Sequence, residues 1–356
     1  MTTNDFEHPS NRSRSDRLGL AVIGAGLGSK PHFRSLEELA GEVDLRWLHA
    51  RTAEKLQVAP VPSSTRRTTD LQQVLDDPAV DAVLVLTPPE SHCELGCRAA
   101  AAGKHVLVEK PLAIDLDQAR QLVAACESAG VQLGVMLQHR LREGPLRLHT
   151  LIQSGRLGRF VGGAASVRWW RPQSYYDVPG RGTLARDGGG VLMTQAIHTL
   201  DLLLHLVGVP QSVTGAANTS AVHVMECEDQ AAALLRYESG AAVTVRATTA
   251  AYPGYAERIE LEFTRGSATL ESGKLQVHLS DGSTVSTEAE QGGGGGADPM
   301  AFDHGAHCAV LRDFVQALQQ GRSPQVSGRS ALAVQTLIEA ILQSSRSRTE
   351  VPMAPC

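Results

Sequence analysis

The sequence predicts an α/β protein: an N-terminal doubly wound parallel sheet, followed by an α+β domain whose large open sheet is mainly antiparallel. Three observations predict it. Apolar runs of strand length alternate with helix-spaced segments from Leu18 to about Leu137. One of those runs, Val80 to Leu86, is continuously apolar, as in strands buried on both faces. Beyond Leu141 the texture changes to period-two alternation broken by hairpin turns. At 356 residues the chain also exceeds the roughly 250–300 at which a single core stops growing. The expected division is a disordered tail over 1–16, a parallel-sheet domain over 17–139 and an α+β domain over 140–356.

The elements follow in order. Leu18 to Ile23 is a strand that ends in Gly24-Ala25-Gly26-Leu27-Gly28, and the segment after Pro31 has helical spacing through Phe33, Leu36 and Leu39. Asp44 to Leu48 and Val80 to Leu86 are strands, His92 to Ala102 a helix and His105 to Val108 a strand. Asp115 to Ala129 is a helix and Val131 to Leu137 a strand. A short helix precedes Gly155. Strands are then expected over Phe160 to Trp170, Gln230 to Tyr237, Ala241 to Thr248, Arg258 to Phe263 and Ser267 to Leu270. Turns fall at Glu238-Ser239-Gly240 and Asp281-Gly282. One helix, Gly190 to Val207, interrupts these strands. Gly292 to Gly296 reads as a flexible loop, and helices over Phe302 to Gln319 and Arg329 to Gln343 close the chain.

Hydrophobic residues at 42% and charged residues at 20% describe an ordinary globular protein. A net charge of -5, with no basic stripe, gives no footprint for nucleic acid. Six scattered cysteines, Cys93, Cys97, Cys126, Cys227, Cys308 and Cys356, suit a reducing compartment better than a disulfide framework. Cys93 and Cys97 lack further ligands. The trio His304, His307 and Cys308 lacks a fourth, so no metal is expected. The first 16 residues contain no apolar core for a signal peptide, and no run approaches the roughly 20 apolar residues that span a bilayer. A cytoplasmic protein without membrane partners is the expectation.

Glycines 24, 26 and 28 follow a strand and open a helix, where missing side chains let a pyrophosphate reach backbone N–H groups. Ser29 stands where a third glycine is usual; a tight turn without ligand fits the same residues. The second strand ends His49-Ala50-Arg51-Thr52 with no carboxylate for an adenosine ribose. Arg51 suits a 2′-phosphate, which favours NADP and keeps NAD open; a solvated residue at a helix start fits it as well. Thr87-Pro88-Pro89 ends the third strand and fits a structural turn or a nicotinamide contact. Glu109-Lys110-Pro111 closes the run His105 to Val108, and Lys110 there points into the crevice where parallel sheets bind ligands; read alone, the tripeptide fits an ordinary surface lysine beside a proline better.

Thr87-Pro88-Pro89 with His92, then Glu109-Lys110-Pro111, then Asp187 to Asp201 (DGGGVLMTQAIHTLD) resemble, in content, order and spacing, the Gfo/Idh/MocA family of nicotinamide-dependent oxidoreductases. The resemblance covers nearly the whole chain after residue 17. It implies an NAD(P)-binding Rossmann domain over 17–139, and a substrate-binding domain over 140–356 that forms homodimers or homotetramers through its sheet. Lys110 and His198 match the family's catalytic lysine and histidine. Cofactor contacts are implied at Gly24, Gly26, Leu27, Gly28, Arg51, Thr87, Pro88, His92, Glu109, Lys110 and Gln138. Substrate contacts are implied at Lys110, Arg171, Tyr176, Arg181, Thr194, Gln195 and His198.

These roles suit the residue types. Oxidising a secondary alcohol needs a base near neutral pKa, which histidine supplies, and a lysine can polarise or protonate the carbonyl oxygen in reverse. Asp201, three residues after His198, could orient the ring or cap backbone. One departure stands out: Thr194 occupies the position, four before the histidine, where the family commonly has Asp or Asn. The relay is therefore expected to rest on Lys110 and His198.

The aromatic run Trp169-Trp170-Arg171-Pro172-Gln173-Ser174-Tyr175-Tyr176 resembles a sugar-binding loop, continued by Arg181, Thr183 and Arg186, and equally fits an interdomain core. Neighbouring strand residues face opposite sides, so at most one tryptophan reaches substrate. The expected activity is hydride transfer between nicotinamide and a secondary alcohol or ketone of a sugar, sugar derivative or cyclic polyol. The rivals are an NAD-dependent glycoside hydrolase of the same fold and a non-catalytic dinucleotide-binding regulator.

Overall fold

The alternation in the first third of the chain builds β1 (Leu18–Ile23), α1 (Lys30–Glu38), β2 (Val43–His49), α2 (Ala53–Val58), β3 (Arg66–Thr68) and α3 (Leu71–Leu75). It continues with β4 (Ala82–Val85), α4 (His92–Ala101), β5 (His105–Val108), α5 (Leu116–Ser128) and β6 (Leu133–Val135). The structure, a computed structural model, describes residues 17–288 and 304–353. The six strands pair in the order β3-β2-β1-β4-β5-β6, all parallel. The central strands are enclosed on both faces: every side chain of β4 is fully buried, as its unbroken apolar run requires. The strand order reverses between β1 and β4, so a crevice opens beyond their carboxyl ends.

The second half contributes α6 (Glu143–Gln153), β7 (Phe160–Arg168), α7 (Gln173–Tyr176), α8 (Leu184–Asp187), α9 (Ile197–Val207), β8 (Ser212–Asn218) and β9 (Gln230–Arg236). Then come β10 (Ala242–Thr248), β11 (Arg258–Phe263), β12 (Gly266–Glu271), β13 (Lys274–Leu279), β14 (Thr284–Ser286), α10 (Gly305–Gln320), α11 (Gly328–Ser347) and β15 (Val351–Pro352). Among the described residues nine strands pair in the order β14-β13-β12-β11-β7-β10-β9-β8-β15. Only β7 and β10 run parallel. One face of this sheet is core, with Val243, Val245 and Ala247 of β10 buried beside Ala165 and Val167 of β7. On the other face Ala242, Thr244 and Arg246 are exposed.

Several expectations need correction. The strand expected over Phe160 to Trp170 ends at Arg168, and Trp170 keeps only an isolated bridge to Ala250. The helix expected from Gly190 begins as a π-turn over Leu192–Ala196. The short elements β3, α2 and α3 and the small-residue strand β8 were not expected. The helical run Leu184–Val207 does reach the length and apolar content of a membrane span, but 83% of its most apolar window is buried as core. The tail over 1–16, the loop Gly292 to Gly296 and the expected helix start at Phe302 lie outside the described residues.

The two halves are tied together. Phe314, Leu311 and Cys308 of α10 share a core with Leu20, Val22 and Leu84 of the parallel sheet. Gln335 of α11 clamps Ala113, accepting from its N–H at 3.2 Å and donating to its carbonyl at 2.9 Å. That clamp holds the turn after Lys110 from the far side of the molecule.

Candidate active site

The glycine turn is shaped by steric necessity at one residue and by open space at two. Gly24 has φ 110°, and a Cβ there would lie 2.8 Å from the Leu86 carbonyl. Gly26 and Gly28 face open space, where a Cβ would meet nothing within 4 Å. Ser29 explains the irregular spacing, since its hydroxyl donates to the Gly26 carbonyl at 2.6 Å and closes the turn. Leu27 begins the 3-10 turn over Leu27–Ser29. A turn that the protein leaves uncovered, at the start of α1 and the mouth of the crevice, fits a pyrophosphate.

Around it, Arg51 is exposed just past β2, whose His49 carbonyl accepts from the Gly24 N–H at 2.8 Å. Thr87 and Pro88 follow β4, with the Thr87 hydroxyl accepting from Ser91 at 2.7 Å. Gln138 opens the 3-10 turn Gln138–Leu141 after β6. Its amide oxygen is buried without a hydrogen-bond partner, a group that a ligand donor would satisfy.

Two expected cofactor contacts face inward instead. His92 is fully buried, with one ring nitrogen 2.8 Å from the Pro111 carbonyl oxygen and the other 2.8 Å from that of Thr87. It braces the turns after β4 and β5 against each other. The Glu109 carboxylate accepts from the Lys110 N–H at 3.0 Å and meets His32 Nε2 at 2.7 Å, so both oxygens shape the turn. Burial pushes Glu109 up, but the His32 hydrogen bond and the charges of His32, His307 and Lys110 outweigh it and bring the carboxyl to about 2.

Lys110 reaches across the interdomain crevice, and its Nζ donates to the Thr194 carbonyl at 2.7 Å. The π-turn presents that carbonyl, and such bulges gather at functional sites. Its entry is fixed by glycines. Gly188 has φ 73° and packs on Ile114, and a Cβ on Gly190 would lie 1.8 Å from the Glu228 carbonyl oxygen. The Glu228 side chain then accepts from the Gly190 and Leu192 N–H groups, both at 3.1 Å. The Thr194 hydroxyl donates to Gly190 at 2.6 Å and contacts Gln195 at 2.5 Å, leaving its carbonyl for Lys110.

His198 follows on α9, buried and stacked on His139 with centroids 4.8 Å apart. Its Nδ1 has no hydrogen-bond partner. Burial holds His198 well below the usual range, and the nearby Lys110 charge adds to this. Burial also lowers Lys110, with Glu109 and Asp187 opposing. A neutral imidazole with an open nitrogen near a half-buried ammonium can take up and deliver a proton. Asp201 does not orient His198: its carboxylate is gripped by Arg140 at 2.7 and 2.5 Å. His139 was missed in the sequence, where only its place just past a parallel strand marked it.

The aromatic loop is also arranged differently from expectation. Tyr176 is buried, and its hydroxyl bonds Thr249 at 2.7 Å. Arg171 is 2% exposed and donates to the Trp170 carbonyl at 2.9 Å. Both support the loop from behind. Tyr175 instead turns toward the π-turn, its hydroxyl 3.4 Å from the Gln195 amide nitrogen. The Arg181 guanidinium lies 4.0 Å over its ring. Trp169 is buried and Trp170 half-buried, and both lie past the end of β7, where strand alternation no longer applies.

A glycine turn opening a helix, a switch-point crevice and a lysine that bonds the turn leading to His198 fit a dinucleotide-dependent oxidoreductase. Comparison with known proteins gives the family. The model described as the oxidoreductase family, NAD-binding Rossmann fold, matches residues 18–137, and that for the GFO/IDH/MocA C-terminal domain matches residues 146–269. The chain belongs to the Gfo/Idh/MocA family. It is 29% identical to D-apiose dehydrogenase of Paraburkholderia graminis over 347 residues, 94% of this chain and 89% of that protein. It is 26% identical to scyllo-inositol 2-dehydrogenase (NAD(+)) of Bacillus subtilis over 267 residues, 72% and 73% of the two chains. Among solved structures, the WlbA dehydrogenase of Bordetella pertussis, crystallised with NADH and UDP-GlcNAcA, superposes with a TM-score of 0.82 at 28% identity. It covers 96% of this chain and 100% of its own.

Proposed function

We propose that this protein interconverts a secondary alcohol and a ketone on a sugar, sugar derivative or cyclic polyol, with Lys110 and His198 as the acid/base pair. The observation that carries the reading is the Lys110 ammonium anchored on the π-turn four residues before a buried, neutral His198 with an open ring nitrogen. When bound, the nicotinamide supplies the hydride acceptor or donor. The turn at Gly24, Gly26 and Gly28 would hold its pyrophosphate, and Gln138 would accept from a donor near β6. In oxidation His198 takes the hydroxyl proton, while the Lys110 charge stabilises the oxygen as it becomes negative. In reduction the protonated His198 returns that proton to the carbonyl oxygen, which the Lys110 charge polarises. Thr194 cannot act as a carboxylate and serves through its carbonyl. Tyr175, Arg181 and Gln195 line the substrate side, and relatives named for sugars and polyols support that class.

The reading is tested by following reduced nicotinamide with a panel of aldoses, polyols and sugar acids, alongside sugar-product analysis. Product formed with no net reduction of cofactor would refute it. His198→Ala is expected to lower kcat about 100-fold, the lower end for a lost general base; steady-state kinetics with unchanged cofactor affinity checks this. Arg51, exposed past β2, supports an NADP preference. Arg51→Ala should weaken NADP about tenfold or more, as for a lost hydrogen bond to a charged group. NAD titrations should barely move, and equal losses refute the phosphate role. The uncovered sheet face carrying Thr244 and Arg246 supports assembly of two or four copies. The five described cysteines are free thiols, which supports a cytoplasmic setting.

A further inference from the structure

The cluster His304, His307 and Cys308 that the sequence presents does not form, because His307 turns away from the other two. His304 meets Glu38 at 3.2 Å, and Cys308 lies near the same carboxylate. His307 points elsewhere, with its ring 5.2 Å from that of His32 and at 84° to it. One imidazole donor each from His32 and His307 and one oxygen of Glu109 then lie within 4.8 Å of one another. We propose that His32, Glu109 and His307 form a site for a divalent transition-metal ion, with Zn²⁺ the best match.

The donor set carries the assignment. Two imidazoles and one carboxylate are borderline ligands that favour zinc over magnesium or calcium, and three protein ligands leave a fourth position for water. Bonds of about 2.0–2.1 Å in a tetrahedron put donors roughly 3.3 Å apart. His32 Nε2 and Glu109 Oε1, now 2.7 Å apart, need only a small separation to admit an ion in place of their shared proton. Each donor is held by its own element. His32 lies on α1, Glu109 just past β5 and His307 on α10, while Arg312 of α10 pairs with Glu38 of α1 at 2.9 Å. The carboxylate is further fixed because Glu109 Oε2 accepts from the Lys110 N–H, the outer support that orients a ligating group. The Lys110 ammonium is turned away to Thr194. His32 is 1% exposed and Glu109 23%, so an ion would enter past the carboxylate.

The test is calorimetric titration of ZnCl₂ into chelator-treated full-length protein, with no activity readout. One ion per chain is expected. His307→Gln and His32→Gln should each weaken binding about tenfold or more, while His278→Gln, on the exposed side of β13, should leave it unchanged. Thermal melting confirms that each variant is folded. Cobalt(II) titrated into the unaltered protein gives a second reading that needs no substitution. An intense visible absorption, marking a low-coordinate nitrogen and oxygen site, is the supporting result. No saturable binding of one ion, affinity unaltered in both variants, or only the weak spectrum of aqueous cobalt would overturn the site.

Discussion

Replacing Lys110 by Met is expected to lower kcat about 1,000-fold, within the range for a lost acid/base group with its charge, while cofactor affinity moves less than about tenfold. Methionine keeps the length and apolar stem, so the crevice stays filled and only the ammonium is lost. That ammonium does two things. It anchors the π-turn through the Thr194 carbonyl, and it places a positive charge beside His198, which that charge helps to keep neutral. Loss of the anchor removes a hydrogen bond from a charged donor, worth about 1.5–3 kcal/mol, so the melting temperature should fall modestly as well. The chemical role is separated by pH. Burial lowers Lys110 from the usual 10.5, and a lysine acting through its charge loses activity as pH rises through its pKa. The basic limb for carbonyl reduction should therefore lie below 10.5 in the unaltered protein and vanish in the variant. A variant that keeps its limb, or retains a tenth of kcat, refutes the assignment.

Much of this site was legible because its chemistry sits where chain geometry is simple. The strand His105–Val108 was read to the residue, and Lys110 lies two residues beyond it. The turn at Gly24 was legible since only glycine tolerates its φ of 110° so close to Leu86. What was missed depends on contacts between distant segments. Nothing near His92 says that its two ring nitrogens meet carbonyls five and nineteen residues away. Tyr175 and Tyr176 are indistinguishable by type, and the packing of Tyr176 onto Thr249 decides which one turns inward. Strand β8 was invisible because its residues are small: α11 crosses it so closely that a Cβ on Gly215 would lie 2.9 Å from Ile341. The π-turn leaves no local signature, since the Glu228 cap that starts it comes from nearly forty residues downstream.

Asp201→Ala is expected to destabilise the fold by about 3–5 kcal/mol, the cost of stripping one partner from a buried ion pair. Its carboxylate is fully buried and receives Arg140 through two nitrogens, and Arg140 also donates to the Ser330 hydroxyl at 3.2 Å. The three residues belong to the turn after β6, to α9 and to α11, so the pair locks together the elements that carry His139, His198 and the Gln335 clamp. Alanine leaves a guanidinium with no counter-charge and no route to water. Asparagine keeps the volume and one acceptor, so its loss should be clearly smaller, while an aliphatic pair replacing both Arg140 and Asp201 should recover much of the stability. Urea denaturation of the three variants gives the ranking. Because Asp201 does not touch the His198 ring, the folded fraction of the Asp201→Asn protein should keep kcat within a few-fold, and a loss as large as that of His198→Ala would restore Asp201 as the orienting carboxylate.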